Sequence, residues 1–373
     1  MRITSKVLIV VIIIAAVGVT LLWHEFVGKR ERNLSGAVTL PLEEGAMDQA
    51  FSVLATGLEI PWSLDFLPDG GILLTERPGR VRLVDPRQGL MTEAVLEVAE
   101  VRHIGEGGLL GLALHPDFAE TRLVYLYYTY DNGSGVANKV VAYTLENLSM
   151  SKSQTIIEGI PGARTHNGGR IRFGPDGLLY ITTGDAAVPE LAQDRDSLAG
   201  KILRLHDDGA IPADNPFADS PVYSYGHRNP QGLAWDGAGN LWSTEHGPVA
   251  RDEINLIQAG NNYGWPIIRG DEQEPGLESP VLHSGRDTWA PSGADVLDDS
   301  MYFAGLRGRT LYQFNLDRRD PVLTPHLEGD FGRLRDVVAG PGGLLYALTS
   351  NRDGRGMATD EDDLLLVVNP EQL

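Results

Sequence analysis

The chain predicts an all-β fold, a six-bladed β-propeller, preceded by an N-terminal transmembrane or signal helix. Three observations lead there. A turn running into an apolar strand, with Asp-Gly or Gly-Gly in four of the copies, recurs six times at intervals of about 45 to 60 residues, the spacing of propeller blades. Most copies are followed by a second short strand, and helical periodicity is missing throughout. The 373 residues include Gly 44 and Pro 22, which supply turns, and 42% hydrophobic residues, enough core for one large β domain. Two β-sandwiches would not produce six similar copies.

The chain begins with a separate segment. Arg2 and Lys6 precede an apolar run from Val7 to Trp23, about 17 residues, near the lower limit for crossing a bilayer. The charged Lys29 to Arg32 follow, and the nearest small-residue cleavage pattern, Ser35-Gly36-Ala37, lies well downstream. Residues 1–28 are thus expected to be an uncleaved anchor, with an export signal as the alternative, and 29–50 a polar tether. The propeller is expected over 51–373, extracytoplasmic, at the periplasmic or cell-surface side of a membrane.

The six copies are Leu67–Glu76, His115–Thr129, Gly174–Asp185, Trp235–Glu245, Asp298–Gly305 and Gly340–Thr349. The strands after them, Gly79–Val84, Val140–Thr144, Gly200–Leu205, Glu253–Ile257, Thr310–Phe314 and Leu364–Val368, read as outer strands of blades. The fourth copy belongs to a β-hairpin, Gly232–Trp235 and Asn240–Thr244 around the turn Asp236–Gly239. Its open ends carry two polar clusters, His227 to Gln231 and Glu245 to Pro248, so the hairpin mounts both at one edge. Aligning the repeats brings Arg77, Glu106, His166, Asp185, Arg228, Asn229, His246, Arg333 and Arg335 to strand ends, several of them at one mouth of a central channel.

Composition narrows the chemistry. A net charge of −20 argues against nucleic acid as a partner, and the absence of cysteine excludes disulfides, thiolate catalysis and Cys-based zinc sites. His166, beside the tight turn at Gly168-Gly169, suits a general base that removes a hydroxyl proton. Asp185 ends a strand of the same blade and could orient that imidazole. Arg228, Arg333 and Arg335 suit bidentate carboxylate recognition. Taken singly, each has a structural alternative: a loop histidine bonded to backbone, a turn aspartate, or rim ion pairs.

A set of motifs spans nearly the whole body from Pro61 onward: PWSLDFLPDGGILLTERPGRVRLV, GEGGLLGLALHPDF, HNGGRIRFGPDGLLYITTGD, LAGKILRL, YGHRNPQGLAW, EHGP, RDEINLI with NNYGWP, and RLRDV. In this order they resemble the soluble aldose (glucose/sorbosone) dehydrogenases that depend on pyrroloquinoline quinone (PQQ), six-bladed propellers that oxidise sugars. The resemblance implies an aldose substrate, an external electron acceptor, and PQQ and Ca²⁺ as cofactors. It implies His166 as the base at the sugar C1 hydroxyl, Asp185 as its orienting carboxylate and Arg228 beside the quinone oxygen where charge develops. Asn229 falls among the cofactor contacts, and Arg333 and Arg335 match the pair that holds the PQQ carboxylates. Backbone carbonyls of Gly247 and Pro248 match the Ca²⁺ site that bridges to the cofactor, while Glu253 and the Tyr263 carbonyl match a second, structural Ca²⁺ site.

The sequence departs from the family at three positions in this pocket. Glu106 replaces a glutamine, and a carboxylate there repels an anionic cofactor unless it is protonated or faces a cation. Arg307 stands where a lysine contacting the quinone is expected, and the tyrosine expected after the NYGWP motif is not evident between Ile267 and Glu274. Two other readings stay open at this level. One is a non-catalytic propeller binding a glycan or protein, as in hedgehog-interacting relatives; the other is a lactonase propeller whose Ca²⁺ is held by side-chain carboxylates.

Overall fold

The structure is a computed structural model, which describes residues 49–316 and 321–373. The expected anchor and the tether up to residue 48 lie outside the described residues. Among the described residues, no helix is long and apolar enough to cross a membrane.

Six antiparallel sheets form the blades of a propeller. Their innermost strands are Pro61–Phe66, Leu109–Leu114, Ile171–Phe173, Pro230–Trp235, Pro291–Leu297 and Leu334–Gly340. The repeated phrase of the sequence is therefore the second strand of each blade: Ile72–Glu76, Leu123–Asp131, Leu179–Thr183, Leu241–Glu245, Ser300–Gly305 and Leu344–Thr349. The strands read as outer ones are the third of each blade. Beyond them lie further strands such as Ser149–Pro161, Val222–Tyr225 and Leu323–His326. The sixth blade takes its outermost strand, Phe51–Ala55, from the opposite end of the chain, where Phe51 pairs with Val368. That closure is a long-range pairing with no local sequence signal.

Every residue of Ile72–Glu76, Leu179–Thr183, Leu241–Glu245 and Leu344–Thr349 is buried, although simple strand alternation would leave one face wet. The reason is that each blade packs on a neighbour at both faces. One interface gathers Trp62, Leu110, Tyr125, Tyr127, Ile171, Ile181 and Leu203, and burial of each such large side chain contributes about 1.5–3 kcal/mol.

Aspartates at the inner strands clasp adjacent blades. Asp65 Oδ2 accepts from Leu114 N at 2.9 Å, Asp295 Oδ2 from Ala339 N at 3.0 Å, and Asp336 Oδ2 from Leu64 N at 3.3 Å. Arg170 of the third blade reaches across the axis, donating to Asp336 Oδ2 at 3.0 Å, Ser63 Oγ at 2.8 Å and the Gln231 carbonyl at 3.0 Å. This polar crossing joins blades one, three, four and six. It separates the mouth bearing His166 from a second opening lined by Phe66, Leu114, Phe173 and Val338.

Candidate active site

The mouth is built by the loops that enter the innermost strands. His166 lies in the loop before Ile171–Phe173 with a left-handed φ of 59°, followed by Gly168 at 61°. Close approach forces glycine nearby. A β-carbon at Gly184 would sit 2.0 Å from the His166 carbonyl oxygen, and one at Gly168 would sit 2.5 Å from the Thr182 carbonyl oxygen. The loop therefore lies directly on the end of the next strand, which delivers Asp185 to the imidazole.

His166 Nδ1 is 2.7 Å from Asp185 Oδ1. Asp185 is fully buried and its other contacts are complete: Oδ1 accepts from Ala187 N at 2.8 Å and Oδ2 from Trp265 Nε1 at 2.9 Å. An acceptor-only carboxylate at that distance keeps the proton on Nδ1 and leaves Nε2 as the acceptor. Nε2 lies 2.9 Å from Arg228 Nη2, a donor only, which agrees with this tautomer. Arg228 also donates to the His246 carbonyl at 3.2 Å, and its guanidinium stands 5.4 Å from the Trp265 ring centre. Burial lowers its pKa, opposed by the charges of Asp185, Glu245 and Glu106.

The hairpin of the fourth blade holds both polar clusters as its sequence predicts, with Pro230 opposite Glu245. Glu245 accepts from the backbone N–H of Arg228 and pairs with His227 Nδ1 at 2.9 Å. His227 in turn reaches Ser224 Oγ at 2.8 Å and stacks on Tyr263, so it braces the hairpin from behind. Asn229 Oδ1 accepts from Gly168 N at 3.0 Å, tying the hairpin to the His166 loop.

Beside His166 a small inner cavity of about 20 Å³ is lined by Trp62, Glu106, Gln231, His246, Arg335 and Arg355. Its donors are underused. Of the lining atoms, Arg335 Nε and His246 Nε2 are buried without a hydrogen-bond partner among the described residues, as is Nε of Arg77, which lies behind the lining. Burial pulls Arg335 down to about 9 and Arg77 to about 10, since neighbouring carboxylates compensate these cations only in part. Buried cations and orphaned donors make this a place for an anion. Arg77 and Trp265 were not assigned to the site from sequence; their signals were the strand-end position of Arg77 and the NNYGWP motif.

Two expected cofactor contacts are placed differently. Arg307 is exposed and lines an outer depression with Arg309, Arg333 and Met357, apart from the inner cavity. Arg333 is committed to Asp353, at 2.8 Å from Nη2 and 3.2 Å from Nε, and to the Leu306 carbonyl at 3.3 Å. Its partner Arg335 donates to Gln231 Oε1 at 3.0 Å and Ser292 Oγ at 3.2 Å, retaining the free Nε. Glu106 answers the repulsion expected of it. Oε1 pairs with Arg355 Nη1 at 2.8 Å and Oε2 accepts from His166 N at 3.0 Å. Although burial raises its pKa, these bonds prevail and hold it down at about 2.

No group of three or more His, Asp or Glu side chains suited to a metal occurs among the described residues. The loop after Glu245 offers carbonyls instead. A β-carbon at Gly247 would meet the Ala250 and Arg251 carbonyl oxygens at 2.0 and 2.5 Å, so oxygens crowd this turn. Asp252 shapes it by accepting from Gly247 N at 2.9 Å and from Trp289 N at 2.7 Å. Glu253 lies directly across the ladder from Glu245, and burial together with that neighbour pushes its pKa up to about 8. It shares a small cavity with Gly247, Pro248 and Tyr263. A carboxylate pair short of positive charge, next to backbone oxygens, suits a hard cation.

Comparison with known proteins shows the family. The family model described as "Glucose / Sorbosone dehydrogenase" matches residues 58–365. The chain is similar to the aldose sugar dehydrogenase YliI of Escherichia coli, with 36% identity over 338 residues covering 81% of this chain and 90% of that protein. Against quinoprotein glucose dehydrogenase B of Acinetobacter calcoaceticus the identity is 34% over 282 residues, covering 65% of this chain and 59% of the relative. The solved PQQ-bound aldose sugar dehydrogenase of Streptomyces coelicolor superposes with a TM-score of 0.81 at 42% identity, covering 85% of this chain and 97% of that one.

Proposed function

This chain belongs to the glucose/sorbosone dehydrogenase family, and from that premise we propose that it oxidises an aldose at C1 to the lactone, using PQQ and Ca²⁺. The supporting observation is the relay Asp185–His166–Arg228 at the channel mouth, beside a cavity in which buried Arg335 keeps a free donor for an anion. Arg335 would hold a cofactor carboxylate, with the positive charge of Arg77 close behind it. Carbonyls of Gly247 and Pro248 would hold one Ca²⁺, and Glu253 with the Tyr263 carbonyl a second ion. When bound, PQQ polarised by Ca²⁺ supplies a two-electron acceptor for the hydride leaving the sugar C1.

The protein's own part is proton transfer and charge placement. Asp185 keeps the proton on Nδ1, so Nε2 accepts the C1 hydroxyl proton once the sugar takes the place Arg228 Nη2 now occupies. Asp185 stabilises the imidazolium that results. Arg228, held by Nη1 on the His246 carbonyl and by the Trp265 face, keeps its positive charge beside His166 while Nη2 yields its place. Electrons then pass to an external acceptor, with the body held outside the cytoplasm by the N-terminal segment.

The test is reconstitution of the purified protein with PQQ and Ca²⁺, followed by dye reduction on adding a panel of aldoses. Sugar-dependent reduction that disappears with EDTA establishes the activity and ranks substrates. PQQ binding without reduction by any aldose refutes the substrate class. Absence of PQQ binding refutes the reading and favours a binding propeller.

A further inference from the structure

We propose that Arg355 is a cofactor-specificity residue, the counter-ion that lets a carboxylate at position 106 coexist with an anionic cofactor. The inference rests on the functional reading above. Arg355 sits in the loop between Leu344–Thr349 and Leu365–Val368, and its partner Glu106 is 249 residues away in sequence. It lines both the inner cavity and the outer depression, standing at the divide between them.

The loop is built to place it. Asp353 Oδ1 accepts from Arg355 N at 2.9 Å while Oδ2 takes the Arg333 guanidinium, and Asn351 Oδ1 accepts from Arg333 N at 2.9 Å. Arg333 thus acts through the loop: it fixes Asp353, which fixes the turn carrying Arg355. Glu106 is worth keeping as an acceptor because Oε2 anchors the backbone of His166 at its left-handed φ. Its charge is the difficulty. Of the residues lining the inner cavity, Arg335 and Arg355 are cationic and Glu106 is anionic. Without Arg355 these formal charges cancel, and a dianion or trianion would be drawn in only by cations behind the lining, Arg77 and Arg333, which Asp353 partly offsets. With it, one positive charge remains.

The experiment is PQQ binding to the purified Ca²⁺-loaded protein, followed by quenching of tryptophan fluorescence and by equilibrium dialysis, without substrate. Arg355→Ala should weaken binding by about tenfold, and Glu106→Gln/Arg355→Ala should recover most of the loss, because glutamine keeps the acceptor for His166 N but not the charge. Arg355→Lys should stay within about threefold of wild type, and circular dichroism confirms that each variant is folded. Unchanged affinity in Arg355→Ala overturns the inference. So does an equal loss in the Glu106→Gln background, which would mean that Arg355 acts on the cofactor directly, and so does Arg355→Lys binding as weakly as the alanine variant. A wild-type protein that binds no PQQ overturns the functional reading, and this inference with it.

Discussion

His166 and Arg228 share one hydrogen bond, with Nε2 2.9 Å from Nη2, so the lone pair needed for proton abstraction faces a fixed cation. The base is thus held in the correct tautomer from one side by Asp185 and guarded from the other by Arg228.

Replacing the base separates chemistry from binding. His166→Ala should abolish turnover while leaving PQQ affinity near wild type, since no cavity cation is removed. Asp185→Asn should lower kcat by about 10² or more through loss of tautomer control. Steady-state kinetics beside cofactor titration checks both, and joint loss of turnover and binding in His166→Ala would assign His166 to structure alone.

Trp265 acts on His166 through Asp185. Trp265→Phe removes the Nε1 bond to Oδ2, a hydrogen bond to a charged group, and should cost about tenfold in kcat with KM little changed. A changed KM and unchanged kcat would place Trp265 against the sugar instead.

Glu253 makes stability depend on pH and on calcium. Burial and Glu245 raise its folded-state pKa from 4.5 to about 8, so between those values the metal-free folded protein holds a proton that the unfolded chain has released. Stability from this group is complete below the lower value and declines as pH rises toward the upper one. Thermal melts in EDTA should show that decline; Ca²⁺ should suppress it by replacing the proton as counter-charge, and Glu253→Gln should flatten it. A metal-free melting temperature independent of pH across this window would refute the account.

Asp336 is expected to be a structural keystone. Asp336→Ala removes the partner of Arg170, a buried cation, and opens the clasp to Leu64 N, which should cost about 3–5 kcal/mol in urea unfolding. A loss under about 1 kcal/mol would show that Ser63 and the Gln231 carbonyl suffice for Arg170.

Much of the fold was legible because it is written locally. Asp-Gly turns and apolar runs recur with the blade, and the hairpin from Pro230 to Glu245 follows from its own turn chemistry. His166 and Asp185 could be paired from sequence since they belong to one blade, 19 residues apart. Strand order within each blade was less legible, because second and third strands are both buried and their patterns do not say which neighbour lies nearer the axis. The closing strand Phe51–Ala55 and the clasps to Leu114, Leu64 and Ala339 are contacts between blades with no local mark.

Charge compensation was decided by tertiary structure alone. Sequence shows an arginine pair at 333 and 335, yet only the fold commits Arg333 to Asp353 and leaves Arg335 with a free donor. It also shows a carboxylate at 106 where an anion is expected, yet only the fold sets Arg355 against it. Turns and strands follow from neighbours along the chain, whereas an ion's state depends on every charge within a few ångströms and on how much water remains. The residue types and their family were thus determined by the sequence, and the electrostatic balance of the site by the packing of six blades around one channel.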